Sequence, residues 1–358
     1  MKFYCGIDLH ARRSSLVVID EKGEKVGQAT VKNELAKVLA FLAQFEGEVT
    51  CVVESTYNWY WLVDGLQDHG YETKLAHAYG LHLITGSKYK SDLRDAHRLA
   101  RLLRLEEIPL AYIYPADRRP LRDLMRRRIR LVKERGRLRS CVKNTLSRYN
   151  VKVDDANSER AIAGGVDLLP LPDEVKMDLS MTVEQIALLT SQIERMEARL
   201  TKITVADPRF RELMKIPGVG YVLALTIYYE TGEVSRFPSG RNYASYCRLV
   251  ASTSKSADKE KRGKGGKQGN PYLKWAFCQA AMGAARHDAH LAAFRDRHAS
   301  RRGGKNANLL ANCILAHKLC LAAYKILKDG CEFKKEMIGL EAGRGYVGHL
   351  TEENSVVL

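Results

Sequence analysis

Phe3-Tyr4-Cys5-Gly6-Ile7-Asp8 and Val49-Thr50-Cys51-Val52-Val53-Glu54 are two apolar runs, and each closes on a carboxylate. Runs of this length, rich in β-branched and aromatic residues, read as buried strands. A carboxylate at the end of such a strand stands at the rim of a sheet. A third acidic stretch, Ser91-Asp92-Leu93-Arg94-Asp95-Ala96-His97, opens a helix that carries Leu99, Leu102 and Leu103. The i, i+3 spacing puts Asp92 and Asp95 on one face of its first turn. Any one of these acids is also what solubility and the helix dipole favour, and Asp92 or Asp95 alone reads as a cap. Together Asp8, Glu54, Asp92 and Asp95 form a set of hard oxygen donors at element ends. Such a set suits Mg²⁺ rather than a softer metal and points to phosphodiester chemistry.

Outward from these runs, residues 15–19 and 25–31 are strands joined by a turn at Glu21-Lys22-Gly23. Helices follow over residues 34–45 and 59–69, then a strand at Thr73-Lys74-Leu75-Ala76. Three strands, helix, strand, helix, strand, helix is the order of a ribonuclease-H-like α/β sheet, which the sequence assigns to residues 1–114.

The formal charge is +16, and it is concentrated. Between Asp117 and Asn150 there are 13 Lys and Arg against 3 Asp and Glu. Leu124, Leu131 and Leu138 recur every seven residues in that segment, so one helical stripe is apolar while Arg126, Arg127, Arg130, Lys133 and Arg137 project elsewhere. A solvated charged helix would carry both signs. An excess this one-sided costs self-repulsion unless phosphates offset it, so a nucleic-acid partner is indicated. A second helix carries Met181, Ile186, Leu189, Ile193, Met196 and Leu200 after a loop over residues 154–172. Two long helices around a loop predict a basic coiled-coil arm over residues 115–205, a dimerisation element of a homo-oligomer.

A third, mainly helical part is assigned to residues 206–330, with a tail over 331–358. It opens with Ile216-Pro217-Gly218-Val219-Gly220 before an apolar helix over residues 221–229. Gly218 and Gly220 would let backbone amides approach a phosphate, as in a helix-hairpin-helix element, although Gly-x-Gly between helices is also a routine packing device. Downstream lies a polar, glycine-rich, cationic loop containing Ser252, Ser254, Ser256, Lys259, Lys261, Arg262, Lys264 and Lys267. It cannot build a core; its composition suits gripping a phosphate backbone while presenting hydroxyls.

The remaining bounds are exclusions. At 45% hydrophobic and 28% charged the 358 residues have an ordinary globular balance. No stretch reads as a membrane span and the N-terminus lacks a signal-peptide layout, so a cytoplasmic, bacterial protein is expected. The 8 cysteines include no Cys-x-x-Cys pair and are expected as buried reduced thiols.

Five motifs, taken in order, resemble those of a known family. They are Gly6-Ile7-Asp8-Leu9-His10, Val52-Val53-Glu54-Ser55-Thr56, Lys90-Ser91-Asp92-Leu93-Arg94-Asp95-Ala96, Ile216-Pro217-Gly218-Val219-Gly220, and the stretch from Gly263 through Asn270-Pro271-Tyr272-Leu273. They resemble the DEDD transposases of the bacterial insertion-sequence family numbered one-ten, in its eleven-eleven branch, to which the Piv invertase is related. The resemblance implies a RuvC-like domain, a coiled coil and a C-terminal transposase domain with a nucleophilic serine. It also implies a recombinase directed by a structured bridge RNA that pairs with donor and target DNA, and a homo-oligomer, dimer or tetramer, is expected. Carried over residue by residue, Asp8, Glu54, Asp92 and Asp95 would bind Mg²⁺, and Ser256 would be the nucleophile by its distance from Gly263. Ser252 and Ser254 stay open beside it, because Ala257 stands where relatives have glycine and Arg248-Leu249-Val250-Ala251 replaces the usual Gly-Leu-x-Pro. A junction-resolving nuclease that uses water, or a binding protein without turnover, would share the carboxylates or the basic arm.

Overall fold

The computed structural model describes residues 1–84, 91–152, 165–250, 253–256, 259–262 and 268–338. The chain divides into two compact units, Met1–Arg119 and Pro120–Leu358.

The first unit is built on a six-stranded sheet of order β3-β2-β1-β4-β5-β6. Strands β1 (Lys2–Leu9), β2 (Arg13–Asp20) and β3 (Lys25–Lys32) form the antiparallel meander the sequence predicts. Helix α1 (Leu35–Leu42) returns the chain to β4 (Glu48–Glu54), parallel to β1, and α2 (Tyr60–Asp68) leads to β5 (Glu72–Ala76), parallel to β4. Helices α3 (Ala78–Ile84) and α4 (Asp92–Arg104) precede a short antiparallel edge strand, β6 (Leu110–Ala111). The sequence reading missed α3 and β6, whose few residues carry no period of their own.

Alternation along β1 decides what each face covers. Phe3, Cys5, Ile7 and Leu9 join one core with Val38 and Leu42 of α1 and Leu62 and Leu66 of α2. The opposite face meets α4, through Val52 with Leu99 and Leu103 and through Val17 and Ile19 with Ala96 and Ala100. Gly6 is the point of closest approach. A methyl group there would run into the backbone of Ala96 and Ala100, so glycine on the strand and alanines on the helix let α4 lie directly on β1.

The second unit is largely helical. Helix α5 (Arg119–Arg148) enters it from the last residue of the first unit and is followed by α6 (Asp173–Leu200). Arg128 bonds Glu197, and Arg135 Nη1 bonds Thr190 Oγ1 at 3.2 Å. Seven residues forward on one helix are thus seven back on the other, an antiparallel register with a heptad step. Toward the loop the pair has a core of its own, Leu138, Val142 and Leu146 with Leu179, Val183 and Ile186.

Among the described residues the remaining α-helices are α7 (Pro208–Met214), α8 (Tyr221–Thr231), α9 (Gly240–Tyr246), α10 (Pro271–His287), α11 (Ala289–Arg302) and α12 (Ala307–Asp329). They enclose a larger core that includes Met125, Leu200, Tyr243, Phe277, Leu315 and Leu319. Two short antiparallel strands, β7 (Thr253–Ser256) and β8 (Lys259–Arg262), form a ribbon within the stretch the sequence reads as loop.

Four expectations are corrected. Residues 331–338 are not yet tail: Ile338 is fully buried, Phe333 and Met337 pack on the core, and the Phe333 amide donates to Glu212 at 3.0 Å. Helix α12 is, by length and hydropathy, apolar enough to cross a membrane, contrary to the sequence reading, but residues such as Leu315, Leu319 and Ile326 are spent on the core. Met181 is exposed, because α6 presents more apolar residues than α5 covers. Of the cysteines, Cys5, Cys51, Cys247 and Cys320 are buried, whereas Cys141 is exposed; all eight are free thiols.

Candidate metal centre and serine hairpin

The register of β1 and β4 pairs Ile7 with Val53, which brings Asp8 and Glu54 side by side at the C-terminal ends of two parallel strands. Asp8 lies two residues beyond Gly6 and so faces α4, as Glu54 does two residues beyond Val52. The close seat of α4 on β1 carries its first turn over that rim, and Asp92 begins the helix. His10 joins the two segments: its Nε2 lies 3.0 Å from Asp8 Oδ2 and 3.3 Å from Asp92 Oδ1. Asp8, His10 and Asp92 offer ligand atoms all within 4.8 Å of one another. The His10 carbonyl accepts from Asn33 Nδ2 at 2.8 Å and Asn58 Nδ2 at 3.0 Å. Those amides are held in turn by Ser14 and Thr56 hydroxyls. The His10 backbone is therefore clamped from two directions.

Asp95 pairs with Arg98 at 3.3 Å within its own helix. Its charge, with those of Glu54 and Asp92, still reaches Asp8. The Asp8 carboxyl is pushed up to about 6, first by burial, with His10 opposing and Glu54, Asp92 and Asp95 adding to the rise. The charges of the other three predicted acids are thus felt at Asp8, while the ligand atoms that cluster among the described residues are those of Asp8, His10 and Asp92. Like charges pressed together with hard oxygen donors are the environment a divalent cation relieves, so the residues fit such an ion. His10 is the member sequence reasoning did not single out. Its place two residues past the strand-end Asp8 was the available signal.

The residues assigned to nucleic acid divide by task. Arg127, Arg130, Lys133 and Arg137 are exposed on α5, Arg137 beside Glu134 at 2.6 Å. Arg126 departs from the expectation: it is bonded to the buried Glu230, and its guanidinium lies 4.8 Å over the Tyr272 ring. Gly218, with φ +79°, packs against the α10 backbone at Ala280 and Ala284, the packing role, while Gly220 at the N-cap of α8 faces open space. In the ribbon Ser256 pairs with Lys259, Ser254 with Lys261 and Thr253 with Arg262. Ser252, Lys264 and Lys267 lie outside the described residues.

Two family models match this chain. One, of DEDD transposases of the IS110 type and described as "Transposase", matches residues 5–151; the other, described as "Transposase IS116/IS110/IS902 family", matches residues 210–296. The chain belongs to the IS110 family of insertion-sequence transposases. The chain is 25% identical over 295 residues to the transposase for insertion sequence element IS1111A of Coxiella burnetii, covering 79% of this chain and 78% of that protein. It is 24% identical over 253 residues to the putative transposase y4pF/y4sB of Sinorhizobium fredii, covering 69% of this chain and 64% of that one. A probable family 20 transposase of Pseudomonas aeruginosa is 24% identical over 220 residues, covering 58% and 64%. The first IS110 match contains all four carboxylates and α5. The second contains the Gly218 turn, the serine ribbon and α10. The mixed-sheet unit and the helical unit fit a DEDD, RuvC-like transposase.

Proposed function

We propose that the chain is a DNA transposase and recombinase that cuts and rejoins strands through a phosphoserine intermediate. Its RuvC-like unit would hold Mg²⁺ between Asp8, Glu54, Asp92 and Asp95. The observation that carries this reading is the crowding at the rim of the sheet, where Asp8, His10 and Asp92 cluster, Glu54 ends the neighbouring strand, and the buried Asp8 feels the charges of Glu54, Asp92 and Asp95. The family resemblance supplies the serine, Ser256, which stands opposite Lys259 in the backbone register of the ribbon. When bound, the cation would offset charge on the phosphoryl oxygens and on the leaving alkoxide.

In the proposed reaction Ser256 Oγ gives up its proton and attacks phosphorus in line, displacing a deoxyribose hydroxyl. The phosphate is then esterified to serine, which preserves the energy of the broken bond. A hydroxyl at another DNA end attacks the ester, and Ser256 Oγ leaves and regains a proton, so rejoining needs no ATP. Lys255 and Lys259, close to Ser256 in the sequence, would favour the ionised serine by charge. The heptad-stepped pair α5 and α6 would be the coiled-coil arm of the predicted three-part division, and the turn around Gly220 a helix-hairpin-helix-like contact. The exposed cations of α5 would bind phosphates of donor and target DNA and of a bridge RNA.

Trapping the reaction on a nicked suicide substrate and digesting the adduct should yield a peptide modified at Ser256. Asp8→Ala and Asp92→Ala should lower adduct yield at least ~100-fold while DNA affinity changes little, since the phosphate backbone dominates binding. A modified Ser254 would move the nucleophile within the ribbon, and a modified Ser252 would move it to a position earlier in the sequence than β7. Robust cutting without any adduct would reject the serine in favour of a water-using nuclease.

A further inference from the structure

Glu230 lies in the last turn of α8 with its side chain 1% exposed. A carboxylate so buried must have its charge matched, and the match here is close. Arg126 of α5 approaches as a fork, Nε to Oε1 at 2.5 Å and Nη2 to Oε2 at 2.7 Å. Asn270 Nδ2 donates to Oε2 at 2.7 Å.

Asn270 is also the far root of the segment that carries the β7–β8 ribbon. Its Oδ1 caps α10 by accepting from the Tyr272 and Leu273 amides at 2.9 and 3.1 Å, and its own amide donates to the Tyr246 carbonyl at 2.6 Å. The Gly269 carbonyl accepts from Arg248 Nε at 2.9 Å, and Gly269, at φ +93°, presses so closely on the Tyr246 carbonyl that a side chain would not fit. Tyr246 and Arg248 are the near root. Both ends of the ribbon segment are therefore bonded to each other, and the joint is bonded through Asn270 and Glu230 to the basic helix α5.

We propose that Glu230 is a positioning residue whose salt bridge with Arg126 fixes the roots of the serine ribbon and couples them to the nucleic-acid-binding helix. A buried ion pair is a poor way to gain stability, because its desolvation cost offsets most of its attraction, and apolar residues of similar size often do as well. What the forked Arg–carboxylate pair supplies is fixed geometry. Arg126 is flanked by the exposed Arg127 and by Arg130 one turn on, so phosphates gripped by α5 hold the same helix that holds the ribbon.

The catalytic part of this inference rests on the serine reading above; the mechanical part does not. Glu230→Gln keeps the volume and removes the charge, and Asn270→Asp keeps the cap acceptor and removes the donor to Glu230. Each is compared in the full-length protein with Glu197→Gln, which breaks the Arg128 pair of the same arm away from the ribbon. Readouts are thermal melting, DNA affinity at fixed salt, hydrogen exchange over residues 247–270, and the single-turnover rate of adduct formation at saturating DNA. For Glu230→Gln and Asn270→Asp, exchange over 247–270 should rise about tenfold. The single-turnover rate should fall about 10- to 100-fold, with affinity within about twofold, because a misplaced nucleophile loses rate rather than binding. Glu197→Gln should change neither. Unchanged exchange in folded Glu230→Gln and Asn270→Asp, or equal effects from Glu197→Gln, would overturn the proposal. Raised exchange in a protein whose wild type forms no adduct would keep the mount and sink the serine reading.

Discussion

Asp8 holds a proton more tightly than an ordinary aspartate, and the consequences run in a definite direction. In the folded chain its carboxyl is pushed up to about 6, against 3.8 for the unperturbed group. This group therefore favours folding most below pH 3.8, and the contribution is lost as pH rises through about 6. A shift of this size is worth about 2–3 kcal/mol at most. Asp8→Asn should accordingly raise the melting temperature of the metal-free protein at about pH 7–8 and have little effect below about pH 4, as followed by thermal melts across pH. Mg²⁺ affinity of the wild type should fall as pH drops below about 6, because the cation competes with the proton; a flat profile in both measurements would reject the crowded-carboxylate picture. The four acids were legible because each stands at the end of a strand or the start of a helix. His10 was not, because its contact with Asp92 comes from a helix far along the chain. Gly6 was legible only as part of an apolar run; its task is set by the α4 backbone above it.

At the scale of the element, α5 carries its charge in two ways. Arg127, Arg130 and Lys133 are exposed, whereas Arg126 and Arg128 are bonded to Glu230 and Glu197. The exposed set should govern the salt dependence of nucleic-acid binding. Replacing Arg127, Arg130 and Lys133 with Gln should reduce the log–log salt slope by about 0.9 for each duplex phosphate that is no longer neutralised. Arg126→Gln should leave the slope nearly unchanged. Affinities measured from low to moderate salt decide this, and an Arg126→Gln slope that falls as far as the triple variant's would reassign Arg126 to the surface. The one-sided charge and the seven-residue leucine step of this helix can be read from the sequence. Its internal division cannot, since it depends on acids of two other helices, 104 and 69 positions on. The ribbon escapes notice for a related reason: its short strands, Thr253-Ser254-Lys255-Ser256 and Lys259-Glu260-Lys261-Arg262, contain no apolar residue to produce an alternating pattern.

For the molecule as a whole, the exposed face of α6 has the most to say about assembly. Met177, Met181 and Leu188 are 68%, 52% and 60% exposed and stand at i, i+4 and i+11, on one stripe of the helix. Leu179, Val183 and Ile186 on the other side are already covered in the core shared with α5. A helix with two apolar stripes has more to bury than one partner provides, which is why Met181, apolar like Ile186 and Ile193 of the same helix, lies outside the core. A second arm laid along this stripe would remove the exposed apolar area, each side chain contributing about 1–2 kcal/mol on full burial. Met181→Glu combined with Leu188→Glu puts two charges on that stripe without touching the α5 interface. The double variant should therefore keep the helical content and melting behaviour of the parent while its sedimentation at about micromolar concentration shifts to a smaller species. Like charges facing one another across a closed symmetric interface repel in both directions, so the effect on assembly should exceed the burial forgone by the two side chains. A parent that is already monomeric, or a double variant that sediments as the parent does, would show that this stripe does not join copies of the chain.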